Sequence, residues 1–181
     1  MAVKWAKAAR IVFLPPIMAI ALFSIFYGLG RISLTAWILG VVCIGVLPSV
    51  GYFCTRDRDK QRKIAFILSG FGYVAGWVLA TVLKFNQEAM LIFTTYLFTV
   101  FALLFFNKLL KIHASGHASG IAGPLIIVAC VVDSWSVIPC VLLYAASFWS
   151  SVRLKRHTVK EFLLGTLCVM VSMGIAYLIY M

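Results

Sequence analysis

The three histidines of this chain lie in two short polar segments, each of which precedes an apolar run. His113 and His117 belong to KIHASGHASG (residues 111–120), and His157 belongs to SSVRLKRHTVKE (residues 150–161). Histidine is a side chain suited to nucleophilic and general acid–base roles near neutral pH. Two histidines from different loops can divide these roles, so the two segments are candidates for one shared site.

The spacing around His157 indicates how one histidine would be activated. His157 and Glu161 are four residues apart, so they lie on one face if a helix begins near Thr158. A carboxylate there holds one ring nitrogen protonated and leaves the other available for attack. We therefore predict that His157 is the nucleophile. His113 is expected at the edge of its loop, outside the chemistry.

Positive charge accompanies the histidines. A third polar segment, TRDRDKQRK (residues 55–63), is rich in Lys and Arg, as is the segment around His157. These side chains supply positive charge for phosphate oxygens, and Arg does so with bidentate geometry. Ser115 and Gly116 precede an apolar run, where small residues let backbone N–H groups at a helix N-terminus approach an oxyanion. Together the segments predict a phosphate site.

The rest of the chain must position these segments, and its composition identifies the class of protein. Of 181 residues, 64% are hydrophobic, with a mean hydropathy of +1.06, well outside the range of soluble domains. We predict an all-α polytopic membrane protein with six to seven transmembrane or membrane-embedded helices. Residues 1–181 form one membrane domain, with N-terminal helices in 1–53 and a core carrying the three site loops in 54–181. Despite the net charge of +11, no nucleic acid partner is expected, because no separate basic module fits.

Apolar runs and their interruptions give the helices. A spanning helix needs roughly 20 apolar residues, and charged residues, Gly and Pro mark the breaks. Asp133 and Ser134 divide one long run into two pieces of about 15 residues, which would each cover only some 22 Å. Pro15 and Pro16 are expected to kink the first helix or mark its start. The predicted segments are residues 8–28, 33–53, 64–84, 89–106, 118–149 in two pieces, and 162–181.

Alternating crossings place the N-terminus and all three polar segments on one side. That side carries the three histidines and every Lys and Arg except Arg31 and Lys84. By the positive-inside rule it is the cytoplasmic side. We therefore expect a multi-pass protein of the cell inner membrane whose site faces the cytoplasm. Orientation does not require histidines, which is why we assign His117 and His157 to chemistry.

The three loops resemble the type 2 phosphatidic acid phosphatase (lipid phosphate phosphatase) superfamily, as a divergent bacterial or archaeal-type member. The family motifs are a Lys-to-Arg basic stretch, a Pro-Ser-Gly-His, and a Ser-Arg followed six residues later by His and four later by Asp. Residues 115–117 match the second motif, with Ala114 in place of proline. His157 matches the histidine of the third, and Glu161 stands where the family usually has Asp.

Two of the motifs depart from the family pattern. Ser151 lies six residues before His157, where the family has arginine, and Arg153 is the expected substitute phosphate ligand. The proline of the first motif is absent. Candidates for the first motif are Lys60 with Lys63, or Arg58 with Arg62.

The resemblance implies a metal-independent lipid phosphatase without a cofactor. His157 would attack phosphorus to form a phosphohistidine, and His117 would protonate the leaving alkoxide and then activate water. The five cysteines show no metal-ligand spacing. The expected partners are membrane lipids and a lipid mono- or diphosphate substrate of the phosphatidate, phosphatidylglycerophosphate or polyprenyl type. The implied phosphate ligands are Lys60, Arg62, Lys63, Ser115, Gly116 and Arg153.

Other functions remain open. Ser151 is compatible with a non-catalytic relative, and a basic face can also bind anionic head groups on a small transporter. A transporter needs ionisable groups within its spans, and Asp133, near a hairpin tip, is the only candidate. A rhomboid-type serine protease would use Gly-x-Ser-Gly, whereas residues 116–120 read Gly-His-Ala-Ser-Gly, one residue too long.

Overall fold

The computed structural model describes residues 12–54 and 57–181, apart from the side chains of Tyr52, Phe53, Arg58, Asp59 and Arg62. Within these residues the chain forms seven helices and no β-strand. The predicted all-α polytopic class is thereby confirmed. The beginning of the first predicted segment, with Lys4, Lys7 and Arg10, lies outside the described residues.

The helices, here α1 to α7, follow the predicted apolar runs, except that α3 begins at Arg58, within the charged segment and six residues before the predicted start at residue 64. Both α2 and α4 include a π-helical segment, in the middle of α2 and at the end of α4. Five helices are long and apolar enough to cross a membrane, while α1 and α5 are shorter. The bounds are α1 Pro15–Gly28, α2 Leu34–Gly40 with Val41–Val46 (π) and Leu47–Phe53, α3 Arg58–Val82, α4 Gln87–Leu104 with Phe105–Leu109 (π), α5 Gly116–Val131, α6 Val137–Arg153 and α7 Val159–Tyr180.

The predicted break in the long apolar run is confirmed. α5 and α6 contain 16 and 17 residues and are separated by a 3-10 turn at Ser134–Ser136. The Asp133 carboxylate begins this turn, because its Oδ1 accepts a hydrogen bond from the Ser136 N–H at 2.8 Å. Together with the turn, α6 is long enough to span. Asp133 is thus an exposed capping residue at a hairpin tip.

Helix starts are set by side chains that the sequence places at the beginnings of apolar runs. Pro15 occupies the first position of α1, where its missing N–H removes no helical hydrogen bond. Four other helices begin with a side-chain oxygen that accepts a backbone N–H of the first turn, an arrangement that typically stabilises a helix by about 1 kcal/mol. These N-cap residues are Ser33 for α2, Asn86 for α4, Ser115 for α5 and Thr158 for α7.

An arginine ties the helix ends together at one end of the bundle. The Arg31 guanidinium donates to Glu88 Oε1 at 2.9 Å and to the carbonyl oxygens of Val131 and Val132 at 2.8 and 3.1 Å. Asn86 Nδ2 donates to the Arg31 carbonyl oxygen at 2.6 Å. These contacts join the loops that follow α1, α3 and α5. Because successive helices alternate in direction, the loops with the histidines meet at the opposite end.

The helix α4 lies at the centre of the bundle. Its residues 89–97 are all buried, and α3, α5 and α7 pack around it. α3 approaches α2 closely at Gly72, where a Cβ would overlap the carbonyl oxygen of Cys43. Close approach through small residues is typical of packed membrane helices. α4 therefore connects the two ends of the bundle through its core.

Candidate active site

A cavity of about 620 Å³ lies at the end of the bundle opposite the Arg31 contacts. Its walls come from the predicted core and also from α1 and α2, through Pro15, Pro16, Ile44 and Pro48. All three polar segments contribute to its lining, the first of them through Lys63 near the start of α3. Its volume is in the range of small-molecule binding sites. The residues of the predicted site that line it are Lys63, Ser115, Gly116, His117, His157 and Glu161.

The two predicted catalytic histidines lie face to face. The ring centroids of His117 and His157 are 5.9 Å apart, and the ring planes differ by 21°. His117 belongs to the first turn of α5, and His157 precedes the N-cap of α7. Both side chains are partly exposed and line the cavity. A group bound between the loops would therefore meet two imidazoles at once.

The carboxylate of Glu161 lies beside His157, one member of this pair. His157 Nδ1 lies 3.6 Å from Glu161 Oε2, so the i, i+4 pairing expected from the sequence is present. The same oxygen accepts the Thr158 N–H at 3.1 Å, and Thr158 Oγ1 accepts the Glu161 N–H at 3.2 Å. This is a capping box. It holds the carboxylate beside His157 while it starts α7.

A backbone contact joins the two histidine loops. The Ser115 N–H donates to the Glu161 carbonyl oxygen at 3.0 Å. One helical turn further along α7, a Cβ on Gly165 would overlap the Ser115 carbonyl oxygen. The start of α5 therefore rests directly on the first turns of α7. The positions of His117 and His157 are coupled through this contact.

Asn107 holds the same loop from the other side. Its Oδ1 accepts the Ala114 N–H at 2.8 Å, and its Nδ2 donates to the Ala114 carbonyl oxygen at 3.0 Å. Asn107 also lines the cavity. The sequence reasoning missed it, although a lone amide beside Lys108 at the end of a long apolar run was a usable signal. The amide thus fixes the residue that precedes Ser115.

Three described cations line the cavity: Lys63, Lys108 and Arg156. Lys63 was predicted, whereas Lys60 and Arg153 are exposed and do not line the cavity. The side chain of Arg62 lies outside the described residues. Lys108, Arg156 and His113 were missed as cavity residues. For Arg156 the available signal was its position directly before His157 in the sequence.

The end of α6 explains why Arg156, rather than Arg153, reaches the cavity. α6 ends at Arg153, and Lys155 then adopts a left-handed conformation with φ of 50°. The Arg156 N–H donates to the Ser151 carbonyl oxygen at 3.1 Å, which turns the chain back over the last turn of α6. Ser151 is buried and lines the cavity. Arg156 and Ser151 thus lie together at the cavity wall.

The first turn of α5 adds the partial positive charge of a helix N-terminus to the cavity. Ser115 Oγ accepts the Ala118 N–H at 3.1 Å, and Ser115, Gly116 and His117 all line the cavity. A helix N-terminus carries partial positive charge and favours a bound anion. Cations, helix dipole and histidines therefore converge on one volume.

In the described part of the chain, no three His, Cys, Asp or Glu side chains come together closely enough to hold a metal ion. The expectation that no metal is needed stays a prediction.

The fold and the cavity together define an all-α polytopic membrane protein with a histidine pair in a cation-lined site at one end of its helices. No family model, curated protein or solved structure matches the chain.

A glycine substitution tests the coupling of the two loops. Gly165→Ala places a Cβ against the Ser115 carbonyl, so we expect the melting temperature in detergent to fall by about 2–10 °C. Gly174→Ala is the control on the same helix, because a Cβ there meets no described atom within 4 Å. It should melt at or slightly above the temperature of the native protein. Equal melting of the two variants would contradict the contact.

Proposed function

We propose that the protein is a membrane lipid phosphatase that hydrolyses a phosphomonoester or diphosphate of a lipid through a phosphohistidine intermediate. The observation that carries this proposal is the pair of facing imidazoles, with centroids 5.9 Å apart, in a cavity lined by three cations. The resemblance of the loops to the type 2 phosphatidic acid phosphatase superfamily supports the same reaction.

In the first step, the Nε2 lone pair of His157 attacks phosphorus. The proton on Nδ1 faces Glu161, whose oxygen lies 3.6 Å away, so positive charge that develops on the ring is stabilised. The phosphorus–oxygen ester bond breaks, and its electrons leave with the lipid alkoxide. Protonated His117 gives its proton to that oxygen, and the lipid alcohol departs.

In the second step, water hydrolyses the phosphohistidine. Neutral His117 takes a proton from the water as its oxygen attacks phosphorus. The phosphorus–nitrogen bond breaks, its electrons return to the His157 ring, and inorganic phosphate leaves. Each step needs one acid or base, and the same histidine supplies it in both directions.

Charge stabilisation comes from the cavity wall. Phosphoryl transfer depends mainly on positioning and on stabilising charge at the equatorial oxygens. Lys63, Lys108 and Arg156 supply that charge, together with the first turn of α5. Where the resembled family has an arginine that binds phosphate, this chain has Ser151. We assign that phosphate-binding role to Arg156, because Arg156 and Ser151 both line the cavity and are joined by a backbone hydrogen bond.

The substrate would be a lipid, because the cavity continues from the cations into the apolar part of the bundle. Ile44, Phe66, Val100 and Val169 line this inner part. We propose that the protein resides in the cell inner membrane with the cavity mouth towards the cytoplasm, on the basis of the positive-inside rule. A small transporter is less well supported, since Asp133 caps a turn at a hairpin tip.

The histidine pair gives the first functional prediction. We expect detergent-solubilised protein to release phosphate from a panel of lipid phosphates in the presence of EDTA. His157→Ala and His117→Ala should each lower kcat by about 100-fold or more. Lys160→Ala, an exposed residue outside the cavity, should retain full activity. A native protein that releases no phosphate from any lipid would instead be a non-catalytic relative.

A matched pair of arginines gives the second functional prediction. Arg156→Ala should lower kcat/KM by about 10- to 100-fold, because an ionic hydrogen bond to phosphate is lost. Arg153→Ala should change it less than 2-fold, since this side chain lies outside the cavity. Steady-state phosphate release measures both. A larger loss in Arg153→Ala would return the phosphate ligand to Arg153 and contradict our assignment.

Orientation is tested by cysteine labelling. Cys54 is exposed directly after the end of α2, and Ser134 is exposed in the turn between α5 and α6, at the opposite end of the bundle. In a Cys130→Ser background, a membrane-impermeant maleimide should label Cys54 only after cells are permeabilised. With Cys54→Ser added, Ser134→Cys should be labelled in intact cells. The reverse pattern would place the cavity mouth outside the cytoplasm.

A further inference from the structure

Ala114, two residues before the start of α5, is buried although it belongs to no helix. It is 6% exposed, so its backbone N–H and C=O need partners. Asn107 supplies both, because its Oδ1 accepts the N–H at 2.8 Å and its Nδ2 donates to the carbonyl oxygen at 3.0 Å. Since both amide groups are engaged in this way, Asn107 is suited to hold the backbone rather than to bind a substrate.

The end of α4 is shaped to bring Asn107 to this position. Asn107 lies within the π-helical segment Phe105–Leu109, and the Ile112 N–H donates to the Phe106 carbonyl oxygen at 2.9 Å. Lys111 then adopts a left-handed conformation with φ of 55°. Wide turns of this kind are rare and occur frequently at functional sites. Together they turn the chain back, so that Ala114 meets the side chain of Asn107.

This contact is one of two that hold the start of α5. The second is the Ser115 N–H, which donates to the Glu161 carbonyl oxygen at 3.0 Å. His117 follows Ala114 by only three residues and lies in the first turn of α5. Asn107 therefore links His117 to α4, the central helix of the bundle, and without it the contact from Ser115 to α7 would remain.

His157 is held in a different way. Its neighbour Thr158 and the Glu161 side chain form a capping box within their own segment, and Glu161 Oε2 lies 3.6 Å from His157 Nδ1. None of these contacts involves Asn107. Removing the Asn107 amide should therefore displace His117 while His157 keeps its carboxylate.

We infer that Asn107 is the positioning residue for His117 as the general acid, and that it acts through the backbone of Ala114. This inference rests on the proposed function, in which His117 protonates the leaving lipid alkoxide and His157 attacks phosphorus. A catalytic group that is misplaced by about 1 Å can lose about 100-fold in rate. Loss of Asn107 thus weakens proton transfer to the leaving oxygen and spares the nucleophilic attack.

The test uses two lipids that differ in their need for an acid. A long-chain alkyl phosphate releases an alkoxide, which must be protonated as it leaves. A nitrophenyl phosphate that carries the same alkyl chain releases a stable phenolate, which needs no acid. kcat/KM covers the steps up to departure of this leaving group, so the comparison reports the step in which His117 is the acid.

We expect Asn107→Ala to lower kcat/KM for the alkyl phosphate by about 10- to 100-fold, and for the nitrophenyl phosphate by about 2-fold or less. His117→Ala should show the same selectivity. Glu161→Gln should lower both values, because His157 attacks phosphorus in both lipids. Gln87→Ala removes an exposed amide from the other end of α4, and this control should leave both values unchanged.

A second variant covers the case in which Asn107→Ala does not fold. Asn107→Asp keeps the shape of the side chain and the acceptor for the Ala114 N–H, but its carboxylate cannot donate to the Ala114 carbonyl oxygen. The added negative charge repels both phosphates alike. The ratio of the two kcat/KM values, alkyl to nitrophenyl, should therefore fall in this variant as well.

The outcomes separate this inference from the proposed function. Equal losses on the two lipids in the Asn107 variants would make Asn107 a structural residue of the whole site and overturn the inference. Unchanged values would also overturn it and leave the lipid phosphatase intact. No phosphate release from either lipid by the native protein would remove the proposed function and the inference with it.

Discussion

The site depends on one backbone hydrogen bond, from the Ser115 N–H to the Glu161 carbonyl oxygen. It brings the beginning of α5 against the beginning of α7, and each of these two helix starts carries or adjoins one histidine. The contact is possible because Gly165 has no Cβ to meet the Ser115 carbonyl. Two capping interactions, by Ser115 and by Thr158 with Glu161, keep both helix starts in register with it. The 5.9 Å separation of the imidazoles follows from these local constraints.

The bundle supplies what the proposed phosphate site needs. Because the apolar helices alternate in direction, all three polar segments lie at the same end of the bundle. At the other end, Arg31 satisfies two carbonyl oxygens at the end of α5 and pairs with Glu88. The helices are thus fixed at both ends, and the cavity between them extends from solvated cations to the buried Tyr96. A lipid with a charged head and an apolar body matches this gradient in polarity.

Much of this arrangement follows from sequence because it rests on local rules. Apolar runs predicted the helices, Asp133 predicted the break between α5 and α6, and the four-residue spacing predicted the pairing of His157 with Glu161. The choice between Arg153 and Arg156 could not be made this way. It depends on the left-handed conformation of Lys155, which no residue pattern indicated. Asn107 acts through side-chain hydrogen bonds to the backbone of Ala114, seven residues further on, which hydrophobic periodicity does not report.

The central claim is that His157 becomes covalently phosphorylated. The direct measurement is a rapid quench of detergent-solubilised protein with a lipid phosphate labelled at its terminal phosphorus, followed by peptide mapping. We expect an acid-labile, alkali-stable label on the peptide that contains His157, and no label in His157→Ala. Hydrolysis of the lipid without such a label, or a label on another residue, would contradict it.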